Sequence, residues 1–254
     1  VIFAKNTNNN FIIPVLIASM IPIINFLLVF FYLPETKPKS DSNKSKPIFK
    51  NPLKELFTVF KEEKIKKLSL AFFIYFIAFT GLTNILIFFL QESLKWTTKA
   101  SSGTLVLVGI IAIIVQGGLI GPLVKQFGEM RLTLIGSGFI LVACTLLISA
   151  PKENAIINIY SAVSFLAIGA GLITPTLRAL ISKKLEDDKQ GSILSNLQGL
   201  QSLGGVLGIA MAGRVYDSFG PKSPFIAGSV ILLFMIYLIA EGKNNNSFSN
   251  QNQK

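Results

Sequence analysis

Arg178 and a small set of amides and hydroxyls (Asn84, Gln116, Thr174, Thr176, Gln198 and Gln201) are the side chains in this 254-residue sequence whose types and settings could do chemistry. All lie inside otherwise apolar stretches. The chemistry they allow is recognition, not bond making. Histidine is absent, which removes histidine metal sites, serine–histidine triads and cysteine–histidine pairs together. The single cysteine, Cys144, sits in an apolar run; it has no internal disulfide partner and reads as a small packing residue. No Asp or Glu interrupts the apolar stretches, so general acid–base catalysis has little to work with. The sequence calls for no enzyme activity, no cofactor and no metal.

The elements that hold these side chains follow from composition. Hydrophobic residues make up 51% of the chain and charged residues 15%, against roughly 25% charged in a typical soluble domain. A soluble fold of this size lacks the polar residues to cover so much apolar surface. Seven apolar runs stand out: 11–33, 68–90, 103–124, 132–150, 155–181, 191–216 and 225–240. Most approach or exceed the roughly 20 residues that a helix needs to cross the hydrocarbon core. Backbone groups in lipid must bond within their own segment, so the runs are expected to be helices; barrel strands would be about half as long and would alternate with polar residues. The expected class is an all-α integral membrane protein with about seven transmembrane helices, its partner the lipid bilayer. The first run has no basic flank before it and no small-residue cleavage site after it, so it reads as a mature span and not a signal peptide.

Net charge is +11, which on a soluble protein would raise nucleic acid as a partner. Here the loops explain it. When loops are assigned alternately to two sides, 18 of the 24 Lys and Arg fall on the side of the long polar segment 34–67 and the C-terminus. The positive-inside rule places that side in the cytoplasm, in a bacterial-type plasma membrane, and no nucleic acid is needed. Within the long segment, residues 35–46 read as a flexible linker rich in Pro, Ser and Lys. Residues 50–65 carry Leu53, Leu56, Phe57 and Phe60 at helical spacing among lysines. They predict an amphipathic basic helix, lying either on the membrane surface or against the protein's own cytoplasmic loops. Residues 241–254, rich in Asn, Ser and Gln, are expected to be a disordered tail. The domain plan is therefore 1–33 (an outer loop and one helix), 34–67 (linker), 68–240 (a six-helix bundle) and 241–254.

An internal match points to a longer parent. With Val1 placed on Val215, Phe11 falls on Phe225, Ile12 on Ile226 and Ile17 on Ile231, and both segments turn apolar at the same Phe. Residues 1–10 would then end a glycine-rich helix whose body is absent. The chain also opens on Val1, and its spans are odd in number, so it is expected to be truncated at its N-terminus.

Three stretches carry a family resemblance. Phe11-Ile12-Ile13-Pro14 through Leu33-Pro34-Glu35-Thr36 resembles the sixth helix of major facilitator superfamily transporters, which often ends in Leu-Pro-Glu-Thr before a long basic loop. Gly121-Pro122-Leu123-Val124-Lys125-Gln126-Phe127-Gly128 keeps the spacing of the family's short cytoplasmic motif, Gly-x-Leu-x-Asp-Arg-x-Gly, with Lys125 where Asp is usual. Gly169 through Ser182, then Gln190-Gly191 and Gln198 through Gly205, resemble the tenth and eleventh helices of drug:proton antiporters of the tetracycline-efflux type; Ile209 departs from them, standing where Pro usually follows Gly208. The resemblance covers residues 1 to about 240 and implies helices six to twelve: the C-terminal bundle of the fold plus the preceding helix.

The resemblance also implies roles. Gly121, Lys125, Gly128 and Arg131, with Arg178 one turn from its helix end, are gating candidates; snorkelling to the headgroups is the simpler role for Arg178. Asn84, Gln116, Thr174, Thr176, Gln198 and Gln201 are candidates to line a cavity, Asn84 and Thr176 in a shared cleft, while interhelical hydrogen bonding is the simpler role for the amides. Gly117, Gly204 and Gly208, with Gly121 and Ala212 at spacings of four, are candidates for close helix packing. Leu27 and Phe31 are expected to face lipid. The implied function is secondary active transport, efflux of small amphipathic compounds by proton antiport. The small-molecule substrate would pass between this half and a missing N-terminal half or a partner chain. The alternative is a membrane fragment with no independent activity.

Overall fold

The computed structural model describes residues 12–32, 56–151, 155–185 and 187–251, and among them all regular structure is helical. Six described helices are long and apolar enough to cross a membrane. The chain forms two units, residues 1–50 and 51–254.

The first unit contributes α1, Ile12–Tyr32, with Pro22 inside it. Its described side chains are exposed throughout, Leu27 and Phe31 included. The N-terminal part of the internal repeat, residues 1–10, lies outside the described residues, as do residues 33–55, with the expected flexible linker 35–46 among them.

The second unit is a helical bundle. Its long elements are α2 (Lys66–Phe88), α3 (Thr98–Ile114), α4 (Ile120–Phe127), α5 (Glu129–Ser149), α6 (Ile156–Ser182), α7 (Asp187–Phe219) and α8 (Ser223–Gln251). α2 runs on into a π-turn, Phe89–Ser93, and a second π-turn, Val115–Leu119, joins α3 to α4 so that the three form one span. α7, glycine-rich and amide-bearing, is the long helix that does not reach membrane-crossing hydropathy on its own. It is nonetheless built into the bundle against α2. α5 packs along α6, α2 also along α8, α8 along α5, and α3 on α6.

Glycines set how closely these helices meet. At the α2–α7 crossing, a Cβ on Gly208 would stand 2.2 Å from Ile77 O, one on Gly204 3.1 Å from Phe73 O, and one on Gly81 2.8 Å from Gly208 O. At the α5–α6 crossing, Gly136 and Gly169 each face the other's carbonyl, at 2.9 and 2.6 Å from an added Cβ. Without a hydrophobic driving force between helices in lipid, such backbone approach is a principal source of association. Gly117 departs from its expected packing role. Among the described residues, nothing beyond the adjoining turns of its own helix lies within 4 Å of a Cβ added there or at Gly121, because the π-turn directs Val115, not Gly117, onto Gly171 of α6.

Two further expectations are corrected. The described part of the amphipathic segment 50–65 is not one α-helix: a 3-10 turn, Phe57–Phe60, is followed by turns to Ile65. The reason is packing. Val59 and Ile65 are buried in the bundle core, and Leu56 lies on Gly199 of α7, so the apolar residues turn toward the protein's own helices. The tail was expected to be disordered, yet α8 continues to Gln251. Once a long apolar helix exists, each added residue gains one backbone bond without a new nucleation cost. Residues 252–254 lie outside the description.

Candidate functional site

The polar residues of the bundle separate by depth and face. The deepest pair belongs to packing. Thr133 on α5 and Thr176 on α6 share a hydroxyl hydrogen bond of 2.9 Å, and Thr176 also donates to Leu172 O at 2.7 Å. Thr176 is 1% exposed. The expectation that Thr176 and Asn84 line a shared cleft is therefore corrected. On α6 Thr176 points to the α5 side, while Thr174 and Arg178, four residues apart, share another face. Asn84 is exposed on α2 and donates to Thr80 O of its own helix at 2.9 Å. Gln116 is exposed in the π-turn after α3.

The face of α6 that carries Thr174 and Arg178 meets α2 and α7, and here three sequence candidates come together. Arg178 Nη2 donates to Gln198 Oε1 at 2.6 Å and also to Gln201 Oε1. Gln198 and Gln201 are three residues apart on α7, so one guanidinium reaches both. The Arg178 guanidinium carbon lies 5.9 Å from the centre of the Phe72 ring of α2, within cation–π range. One turn deeper, the Tyr75 and Thr174 hydroxyls share a hydrogen bond of 3.2 Å. Phe79 stacks on Tyr75, ring centres 5.5 Å apart. The result is two rungs between antiparallel α2 and α6: Phe72 with Arg178, then Tyr75 with Thr174. Arg178 forms no ion pair with any described residue. Its Nε is buried without a partner.

Phe72 and Tyr75 were missed at the level of sequence. The signal was present: Tyr75 is the only tyrosine of α2 and stands three residues from Phe72, on the same face. The partner of Arg178, by contrast, could not be read from spacing along one chain segment, because it lies on another helix.

Polar ties also close both ends of the bundle. At the end where α2 begins, Lys67 pairs with Glu241 at 2.7 Å, Lys183 with Glu129, and Asn196 donates to Thr58 at 3.2 Å. At the other end, Tyr216 donates to Glu92 at 2.9 Å, and Lys222 Nζ donates to Ile148 O at 2.6 Å. The short motif 121–128 lies at the first of these ends. Gly128 turns α4 into α5 with φ +75° and ψ 157°, a conformation essentially reserved for glycine. Lys125 and Arg131 flank it and are exposed. Next to the motif, Glu129 at the start of α5 pairs with Lys183, a tie that was not legible in the sequence.

A helical bundle of membrane-crossing length, built on glycine crossings and holding an arginine among amides, belongs to the class of polytopic membrane proteins. The comparisons make the family specific. The model of the Major Facilitator Superfamily matches residues 7–209, and the chain belongs to that family. The chain is 21% identical to human hippocampus abundant transcript-like protein 1 over 89% of its own length and 49% of that protein's. It is 25% identical to the class C tetracycline resistance protein of Escherichia coli over 51% of the chain and 32% of that protein. Among solved structures it is similar to the human organic anion transporter MFSD10 (TETRAN), with a TM-score of 0.62 and 21% identity over 74% of this chain and 46% of that one. That likeness establishes the fold. The chain spans about half the length, or less, of the relatives it matches. It is a multi-pass membrane protein of a transporter family.

Proposed function

We propose that the chain supplies one wall of a secondary active transport pathway for small amphipathic organic compounds, working in efflux by proton antiport. The observation that carries this reading is the face shared by α2, α6 and α7. There Arg178, Gln198, Gln201, Thr174 and Tyr75 form a polar strip inside membrane-spanning helices, and Asn84, Gln198 and Ser202 stay exposed. A polar group left against hydrocarbon costs a few kcal/mol, so a strip of this kind calls for water, a solute or a second protein surface. Relatives named for tetracycline resistance and for organic anion transport are consistent with a solute of moderate size and mixed polarity.

The opposing wall is a second helical bundle, on the same polypeptide or on a partner chain, and the two would rock about the strip. The six apolar runs of the bundle carry no Asp or Glu, so the proton-coupling carboxylate belongs to that second bundle. The strip would face the cytoplasm in one state and the outside in the other, with the long-loop end and the C-terminus cytoplasmic.

The test is flux. The chain is reconstituted in proteoliposomes alone and together with the first six helices of a tetracycline-resistance relative, under an imposed proton gradient, with a panel of anionic, neutral and cationic amphipathic dyes. Gradient-driven flux only in the two-bundle vesicles, or only in vesicles where crosslinking shows a homodimer, supports the reading. Flux by the uncrosslinked monomer refutes the two-wall arrangement. Vesicles of every kind that match empty ones refute transport.

A further inference from the structure

The strip has a sign. Arg178 is a permanent cation inside a membrane span, and both side chains that bind it are neutral. The two amide oxygens of Gln198 and Gln201 are both turned onto Nη2. What remains to face a solute is therefore almost all donor. The Nη1 of Arg178 and the two amide nitrogens of the glutamines make no hydrogen bond to any described residue, while Nε, also without a described partner, is buried out of a solute's reach. A guanidinium offers five N–H donors and no acceptor, and each glutamine whose oxygen is engaged offers two more donors. The neutral amides satisfy geometry but leave the charge uncompensated, and in a medium of low dielectric that charge interacts strongly with any anion placed beside it. A cationic solute would meet like charge. Phe72, over whose ring the guanidinium carbon lies, and Tyr75 are both 0% exposed, so they back the cation and leave its Nη1 edge to meet a solute.

We propose that Arg178, Gln198 and Gln201 form an anion-receiving site, and that the solute it takes is a small amphipathic organic anion whose carboxylate or sulfonate meets Nη1 of Arg178 and the glutamine amide nitrogens. This rests on the transport reading for its place in a pathway, but the binding itself does not require flux. The shared chemistry is an oxyanion on an apolar body. Two sources can present it, a free organic anion or the headgroup of an anionic lipid.

The experiment uses the 254-residue chain in nanodiscs and three probes that share one ring system: 2-naphthoate, 2-naphthalenemethanol and 2-naphthylmethylammonium. Binding is read as the shift in thermal unfolding and by calorimetric titration. The set is run in zwitterionic nanodiscs and in nanodiscs with a third phosphatidylglycerol. Naphthoate should bind at least about tenfold more tightly than the alcohol, as expected for hydrogen bonds to a charged group, and the ammonium should not bind. Arg178→Gln should remove that preference. Arg178→Lys should keep part of it, since the charge remains and the fork is lost. If naphthoate binds in zwitterionic discs and phosphatidylglycerol leaves it unchanged, the source is a free anion. If phosphatidylglycerol alone stabilises the protein, and only when Arg178 is present, the source is a headgroup. Equal affinity for all three probes with no lipid dependence, or undiminished naphthoate binding by a folded Arg178→Gln variant, overturns the proposal. The probe series on the unmodified chain decides the matter even if the variants fail to fold. Binding of naphthoate without flux would leave this site standing and sink the transport reading; flux without charge preference would do the reverse.

Discussion

Replacing Gly208 with Ala should separate α2 from α7. An added methyl there would lie 2.2 Å from Ile77 O, with Ile77 C and Cα at 3.0 and 3.1 Å. An unstrained nonbonded contact is about 3.5 Å, so the two backbones must part by about 1 Å over this crossing. No side-chain rotation relieves the clash, because all three atoms are backbone. The same shift loosens Gly81, which faces Gly208 O in return, and Gly204 against Phe73 O. Overpacking of this kind costs about 1–3 kcal/mol. A backbone obstacle at the tightest of these approaches belongs at the upper end, so we expect about 2–3 kcal/mol. Glycine to alanine also favours the helix intrinsically by about 0.8–1.0 kcal/mol. Gly138→Ala isolates that gain, since nothing lies within 4 Å of a Cβ at Gly138 of α5. Both variants are unfolded by titrating denaturing into mild detergent. The signal is Trp96, the sole tryptophan of the chain, whose ring lies 6.0 Å from that of Tyr160. The Gly208 variant should fall below both the parent and the Gly138 variant. If the two variants agree to within about 0.5 kcal/mol, the size of an ordinary surface change, the crossing is not a close backbone contact and the argument fails.

Four other expectations follow. Thr133→Val and Thr176→Val should each lower stability by about 1 kcal/mol, with a coupling of similar size in the double-mutant cycle, because their hydroxyls bond each other at 2.9 Å; additive losses would refute the pairing. In a Cys144→Ala background, a cysteine at position 84 should react with a water-soluble maleimide in the presence of a second bundle and one at position 176 should not, given that Asn84 is exposed and Thr176 is 1% exposed. Gly128→Ala should cost about 1–3 kcal/mol from backbone strain at φ +75° alone, measured by the same unfolding titration. Reporter fusions at Lys46 and Asn250 should both read cytoplasmic, from the distribution of 18 of 24 basic residues; a periplasmic signal at either position would overturn the topology.

The helices were legible because their cause is local. An apolar run long enough to cross a bilayer has one way to satisfy its backbone, so the spans expected at 68–90 and 132–150 recur as Lys66–Ser93 and Glu129–Ser149. Family membership was legible for a related reason. The glycine and proline positions of residues 121–128 and 169–182 encode turns and close approaches that tolerate few substitutes, and the family model covers that same stretch within residues 7–209. Arg178, Gln198 and Gln201 could be singled out because a polar residue inside an apolar run is conspicuous whatever surrounds it.

What each polar residue faces was decided only by the assembled bundle. Thr174 and Thr176 are two residues apart on one helix, equal in type and in local setting, yet one bonds Tyr75 at the edge of the polar strip and the other is sealed against Thr133. A helix rotates about 100° per residue, so two positions on open opposite sides, and which side receives a neighbour depends on the crossing of α6 with α5. The same holds for the glycines. Gly117 and Gly204 look alike in sequence, but α2 lies against Gly204, and no other described helix comes within 4 Å of a Cβ at Gly117. The segment 50–65 reads by its spacing as an amphipathic helix, on the membrane surface or against the protein's own loops; its described part is instead drawn into turns, because the bundle offers Val59 and Ile65 a buried site. Residue type and spacing report what a side chain needs; the crossing angles of seven helices determine which partner, if any, supplies it.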